Sequence, residues 1–287
     1  MEWKNIISNE SNPIWKRIVM NNFSWVGSEK AFVDERDVRW MNRVAVGRFG
    51  GNSSAGQTKN EDACMVWQTD DWEFAAILDA HKSAESAELV IHTFEQHREG
   101  LSAILSLDGP PNFKKLEDKL LEIFQSDELL AACRNVTGET ACLVVVRKDN
   151  YIWWFSVGDC LVYLLHPELM ALNQFQLNQR QFFEWIGQVN TFEKTVPCYT
   201  SGTRELRKGT NHIFMTTDGL VECPGEPYAN PQNLVEALNV EALDESISLM
   251  LKEIEKHNVR DSTTIISWTV DVEKEGSIPS DYEGEVQ

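Results

Sequence analysis

Apolar residues along much of this chain come in short runs that are bounded by turn residues, a pattern that predicts β-strands. Lys148-Asp149-Asn150 and Gly158-Asp159 are turn sequences between three consecutive runs in the middle of the chain. We expect 204–206 and 212–217 to pair as a second hairpin. The predicted strands are 41–49, 63–67, 74–78, 140–146, 151–157, 161–165, 204–206, 212–217 and 263–270.

Other segments repeat their apolar residues every three or four positions, which predicts amphipathic helices. Ser83 is placed to cap the first of these helices. Because runs of strands alternate with pairs of helices, the sequence predicts an α+β fold in which helices cover antiparallel sheets. The predicted helices are 83–105, 116–124, 181–186, 234–238 and 243–254.

The two ends of the chain differ from this central pattern. Asn12-Pro13 is a good helix start, and the apolar residues after it share one helical face. We therefore expect residues 1–40 to be an N-terminal helical extension and residues 41–271 to be the main domain. Residues 272–287 are acidic and poor in apolar side chains, so we expect a flexible tail.

Composition narrows the class of protein. The chain has 42% apolar and 25% charged residues, as soluble globular proteins do, and neither a membrane-spanning run nor a signal peptide is evident. The net charge of -19 argues against nucleic acid and membrane partners, because both require basic surfaces. The six cysteines form no Cys-x-x-Cys pair, which disfavours a zinc or thioredoxin-type site and suits a reducing, cytoplasmic location.

Carboxylates stand at the ends of the predicted strands. Asp79, Asp159 and Asp218 each follow a strongly apolar run, whereas Glu61-Asp62 and Asp261 precede one. Carboxylates that converge in a partly desolvated place repel one another unless a cation neutralises them, and all-oxygen ligands favour Mg²⁺, Mn²⁺ or Ca²⁺. The alternative is that each aspartate serves only its own turn. His81, two residues after Asp79, is a candidate general acid or simply a polar surface residue.

At these residues the chain resembles the metal-dependent serine/threonine protein phosphatases of type 2C. Six short pieces occur in the order of that family's motifs and span about residues 41–271. They are Asn60-Glu61-Asp62-Ala63, Leu78-Asp79-Ala80-His81, Thr137-Gly138-Glu139-Thr140-Ala141, Val157-Gly158-Asp159-Cys160, Thr217-Asp218-Gly219-Leu220 and Arg260-Asp261-Ser262-Thr263-Thr264.

The resemblance implies a four-layer αββα sandwich with a centre of two Mn²⁺ or Mg²⁺ ions at one end. In this family's pattern Asp79 would bridge the ions, Asp218 and Asp261 would hold one of them, and the backbone carbonyl of Ala80 would contact the other. A water activated by the ions would attack phosphorus directly, without a phosphoenzyme.

The remaining implied roles lie around this pair of ions. Glu61 and Asp62 would orient water molecules on the ions. Glu61 would also contribute to the metal site itself. Asp159 matches the position of a third, weaker ion, and His81 matches the acid that protonates the leaving alkoxide.

Some positions depart from the family's pattern. Ala80 replaces a glycine, Lys82-Ser83 replaces a glycine pair, and Gln57 stands where the phosphate-binding arginine is expected. Arg48, Lys59 or Lys82 would then have to contact the substrate phosphate.

We therefore expect an enzyme that hydrolyses phosphoserine and phosphothreonine in proteins. The alternative from another class is a catalytically silent binding or regulatory module on the same fold. An aspartyl-phosphate phosphatase is disfavoured, because no Asp-x-Asp pair follows Leu78.

Overall fold

A computed structural model describes residues 21–107, 109, 111–239 and 242–277. Its strands are β1 (Asn21–Val26), β2 (Arg36–Met41), β3 (Val44–Phe49), β4 (Ala63–Gln68), β5 (Trp72–His81), β6 (Glu139–Lys148), β7 (Tyr151–Val157), β8 (Leu161–Leu165), β9 (Ile186–Gly187), β10 (Thr200–Glu205), β11 (Gly209–Thr216) and β12 (Thr263–Val272). Its α-helices are α1 (Glu85–Gln96), α2 (Arg98–Leu105), α3 (Phe113–Phe124), α4 (Asp127–Cys133), α5 (Pro167–Ala171), α6 (Pro231–Leu238) and α7 (Leu243–Lys256).

The strands form two antiparallel sheets. The larger sheet has seven strands in the order β1-β4-β5-β6-β7-β10, with the short β9 paired to β6. The smaller sheet has five strands in the order β2-β3-β12-β11-β8. Among the described residues, no helix is both long and apolar enough to cross a membrane.

Alternation along the strands divides the interior into three apolar layers. On β5, Phe74, Ala76 and Leu78 pack with helices α1–α4, whereas Ala75 and Ile77 face the other sheet. The outer face of the smaller sheet is covered by α6 and α7. The molecule is thus a four-layer αββα sandwich, which confirms the predicted fold class.

The predicted boundary at residue 40 is wrong for the described part of the extension. Residues 21–26 are strand β1, paired with β4, and residues 36–41 are strand β2, paired with β3. Trp25 and Phe32 lie in the core between the sheets, with their ring centroids 5.8 Å apart. The predicted N-terminal helix lies outside the described residues. Residues 278–287 of the predicted tail also lie outside them. The last strand, β12, ends at Val272, where the predicted tail begins.

Tertiary contacts also changed three local predictions. The helix predicted over 83–105 is divided at His97 into α1 and α2, and the helix predicted over 181–186 is irregular chain that leads into β9. The predicted hairpin is wrong, since β10 pairs with β7 and β11 pairs with β8 and β12. Leu206, fully buried between the sheets, carries the chain from one sheet to the other.

The place of β1 in the core predicts that Trp25→Ala lowers the free energy of unfolding by about 3–4 kcal/mol, because the truncation leaves a cavity between the sheets. Trp40→Ala is the matched control: its side chain is 50% exposed, so we expect a loss below about 1 kcal/mol. Urea denaturation of both variants measures the difference. Equal, small losses would show that residues 21–26 do not belong to the domain.

Candidate metal centre

Strand pairing brings the carboxylates predicted from the sequence to one end of the sandwich. The start of β4 lies beside the end of β5, where Ala63 pairs with Leu78. In the smaller sheet Thr216, the last residue of β11, pairs with both Leu161 and Ile265. The acids that precede or follow these strands therefore meet at a common edge.

Asp79, Asp159 and Asp218 form the centre of this acidic cluster, and one carboxylate oxygen from each lies within 4.8 Å of the others. Asp79 belongs to β5 and is 3% exposed. It follows Leu78, which faces the helices, so strand alternation turns Asp79 toward the space between the sheets.

Two glycines allow the backbone to place the other two carboxylates. Gly158, at φ +89°, makes the turn before Asp159, and a Cβ there would lie 2.5 Å from the Cβ of Ala141. Gly219 follows Asp218, and a Cβ at Gly219 would lie 2.1 Å from the backbone oxygen of Ser262. Larger residues would push these segments away from the cluster.

The donor set fits a divalent cation. Asp79 Oδ2, Asp159 Oδ1 and Asp218 Oδ1 are buried and have no hydrogen-bond partner among the described residues. Buried carboxylate oxygens without a partner are costly, and a hard cation such as Mg²⁺ or Mn²⁺ satisfies several of them at once. The predicted metal site is therefore chemically reasonable at these three residues.

Without a cation, the cluster binds protons more tightly than isolated carboxyls do. Burial, with the charge of Asp218 next in importance, raises the pKa of Asp79 well above its ordinary value. Burial and then the charge of Asp261 raise the pKa of Asp218 to about 6, although a hydrogen bond with Asp79 opposes this rise. Both carboxyl groups therefore take up protons more readily than isolated ones, and a bound cation would displace those protons.

Asp261, Glu61 and His81 surround the cluster at its rim. Desolvation by the surrounding protein raises the pKa of Asp261. A hydrogen bond that its carboxylate accepts from the Ser262 amide at 2.9 Å opposes this rise. Neither Asp261, which is exposed, nor Glu61, which is half-buried, belongs to the group of carboxylates whose oxygens lie within 4.8 Å of one another. His81 is exposed, with its ring 6.5 Å from that of Trp185 in a T-shaped arrangement.

Asp62 is more deeply buried and joins the two sheets. Its Oδ2 accepts hydrogen bonds from Thr264 Oγ1 at 2.7 Å and Thr217 Oγ1 at 3.1 Å, and the residue is 1% exposed. Burial raises the pKa of Asp62 well above its ordinary value. Its contacts are those of a structural link; its predicted part in orienting water remains a prediction.

The predicted phosphate contacts lie in different environments. Arg48 is 5% exposed, binds Asp37 and lies over the rings of Phe23, Trp25 and Phe32, so the structure does not bring it to the cluster.

Gln57 is nearly buried, and its Oε1 accepts a hydrogen bond from the Thr58 amide at 3.1 Å. Lys82 is exposed at φ +80°. Lys59, nearer the rim, binds Glu61 and the backbone oxygen of Lys82, each at 2.6 Å. Ala80 lies within β5 with its side chain on the helix side, so the methyl group does not enter the cluster.

Sequence reasoning missed Arg180. Its Nη2 lies 3.6 Å from Asp159 Oδ2 and 3.7 Å from Asp218 Oδ2, and it donates to Glu222 Oε1 at 2.5 Å. The residue belongs to an irregular connection without helical or strand periodicity, and no motif marks it. Its only sequence signal is a basic charge about twenty positions after Asp159.

The raised pKa of Asp218 predicts an unusual pH dependence of the stability of the metal-free protein. Between pH 3.8 and about 6, Asp218 is protonated in the folded state and ionised in the unfolded state. The free energy of unfolding therefore falls as the pH rises through this window. Asp218→Asn removes the effect. In EDTA, the free energy of unfolding of the variant should rise relative to that of the wild type by roughly 2 kcal/mol from pH 4 to pH 7. Chemical denaturation at each pH measures this difference. Asp118→Asn, on the exposed face of α3, should show no such trend; a parallel trend in both variants would contradict the interpretation.

Comparison with known proteins supports the fold. No protein-family model matches the sequence, and a search of curated proteins gives no match. Among solved structures, RsbX in complex with magnesium is 16% identical, with 82% of this chain and 100% of RsbX aligned at a TM-score of 0.54. The catalytic domain of the serine/threonine phosphatase PstP in complex with 2 manganese ions is 16% identical, covering 88% of this chain and 100% of that one at a TM-score of 0.54. PstP of Mycobacterium tuberculosis, at 15% identity, covers 90% and 100% at 0.53. The chain therefore has the fold of the type 2C serine/threonine phosphatases, as the resemblance implied.

Proposed function

We propose that this protein is a Mn²⁺- or Mg²⁺-dependent phosphatase that removes phosphate from phosphoserine and phosphothreonine in cytoplasmic proteins. The observation that carries the proposal is the set of three buried, unpartnered carboxylate oxygens from Asp79, Asp159 and Asp218. They lie at one end of a sandwich whose structural relatives include phosphatases, two of them crystallised with magnesium or manganese. Such a donor set holds cations and is a poor surface for anions.

Each acid has a part in this proposal. Asp79, the most central, would bridge two ions, and Asp218 and Asp261 would hold one of them. Glu61 and the Ala80 carbonyl would complete the other site. Bound ions would polarise a phosphoryl oxygen and lower the pKa of water. The protein's own contribution is a set of three carboxylates whose buried oxygens already lie close together.

His81 is suited to hold and deliver the leaving group's proton. Its imidazole is exposed, two residues after Asp79, where an incoming side chain can reach it. The T-shaped contact with the ring of Trp185, at 6.5 Å between ring centroids, limits the orientation of the imidazole. A serine or threonine alkoxide is a poor leaving group, so protonation there would assist bond breaking.

The buried cysteines do not support a covalent cysteine mechanism. Burial raises the pKa of both Cys64 and Cys142 to about 12, and it raises that of Cys160 well above the ordinary value. These thiols stay protonated at neutral pH, and only the thiolate is an effective nucleophile. Direct attack by water is the route that agrees with this interior.

The first test is hydrolysis of a phosphoserine peptide with added Mn²⁺. Asp79→Asn and Asp218→Asn should each lower kcat/KM at least about 100-fold, because each removes a charged oxygen from the cluster. Asp118→Asn, the control on the surface of α3, should retain wild-type activity. Full activity in both cluster variants would contradict the assigned site.

The second test separates the acid role of His81 from metal binding. His81→Gln should lower kcat on the phosphoserine peptide roughly 100-fold or more, since the alkoxide leaves without a proton. Activity on p-nitrophenyl phosphate should change little, because nitrophenolate leaves readily unprotonated. Equal losses on both substrates would show that His81 does not act as the acid.

A silent binding module is the second candidate, and one observation favours it: Arg180 already pairs with two acids of the cluster. Binding of Mn²⁺ by calorimetry with no phosphate release from any phosphopeptide in a broad panel would support that alternative and would contradict the enzymatic proposal.

A further inference from the structure

Arg180 is the cation that contacts the acidic cluster within the described part of the chain. Its Nη2 is nearly equidistant from one oxygen of Asp159 and one of Asp218, at 3.6 and 3.7 Å. The second oxygen of each carboxylate is buried without a partner. The guanidinium therefore neutralises one side of these two acids and leaves their other oxygens unsatisfied.

The backbone around Arg180 is fixed to the turn that carries Asp159. The Gln181 amide donates to the Gly158 oxygen at 2.9 Å. The side chain of Asn178, 5% exposed, donates to Ser156 Oγ and the Cys160 oxygen and accepts from the Val162 amide. The position of Arg180 beside Asp159 is thus determined by several hydrogen bonds, whereas its side chain remains 20% exposed.

We propose that Arg180 is a tethered cation that takes the place of a divalent ion between Asp159 and Asp218. The inference rests on the proposed function, because it concerns the same acidic cluster. An ion bound by these two carboxylates would lie next to the guanidinium, and two positive centres so close repel each other strongly. The site accordingly holds either the guanidinium or the ion.

The surroundings of the side chain permit this exchange. Glu222, half-exposed at 51%, holds Nη2 from the solvent side, and the exposed ring of Phe182 lies 4.8 Å from the guanidinium carbon. An outward rotation of the guanidinium would keep these two solvent-side partners and would leave the buried acids in place. The chain would therefore bind an ion at Asp159 only by displacing its own arginine, and Asp79 would remain free for the ions at the centre.

The test is calorimetric titration of Mn²⁺ into the metal-stripped full-length protein, a binding readout that needs no activity. We expect Arg180→Gln to bind one more Mn²⁺ than the wild type, or to bind its weakest ion about tenfold more tightly. Arg180→Lys retains the charge and should titrate like the wild type. Arg207→Gln, at the opposite end of β11, is the matched control for the loss of one arginine. Its Mn²⁺ titration should match that of the wild type.

A double variant locates the effect. The gain in Arg180→Gln should disappear when Asp159→Asn is added, since the ion needs that carboxylate. As a second readout, Mn²⁺ should raise the melting temperature of Arg180→Gln more than that of the wild type.

Identical titrations of wild type and Arg180→Gln would overturn the proposal, as would a gain in Arg180→Lys equal to that in Arg180→Gln. These failures are distinct from failure of the metal centre itself. If the proposal alone is wrong, Asp79→Asn still abolishes the tightest Mn²⁺ binding; if there is no metal centre, neither the wild type nor any variant binds Mn²⁺ at the cluster, which overturns both this proposal and the proposed function.

Discussion

Repulsion between buried carboxylates is the constraint on which the acidic end of this sandwich depends. Asp79, Asp159 and Asp218 place oxygens within 4.8 Å of one another, in a chain whose net charge is -19. Such a group is stable only if protons, donors or cations offset its charge. The surrounding structure contributes to each of these: burial raises the pKa of Asp218, threonine hydroxyls donate to the adjacent Asp62, and the guanidinium of Arg180 lies beside Asp159 and Asp218.

The sequence predicted the parts of the fold that local patterns govern. Short apolar runs bounded by turn residues identified the central strands, and the acids at their ends identified the cluster, because antiparallel pairing brings strand ends together. The strands at residues 21–26 and 36–41 were missed because they are rich in polar side chains, and only their pairing with β4 and β3 defines them. The hairpin prediction failed for a related reason: adjacent strands in sequence joined different sheets through the buried Leu206.

Side-chain cations were the least predictable part of the site. Arg48 was a reasonable candidate from its position, yet a buried pair with Asp37 and three aromatic rings hold it elsewhere. Arg180 lies in a segment without periodicity and reaches the cluster through tertiary contacts alone. Acids at strand ends are thus readable from sequence, whereas the charges that balance them depend on how loops return to the sheet edge.

Placing Asp79 inside a strand has a consequence for how this protein can change. A single residue inserted in β5 would rotate every following side chain by half a turn, so that Asp79 would point among the helices and Leu78 into the cluster. A one-residue insertion in this strand is therefore incompatible with both the apolar packing against the helices and the acidic centre. Variation in length should instead collect in the connections, such as the one that carries Arg180, where an altered loop can change the balance of charge without moving the acids.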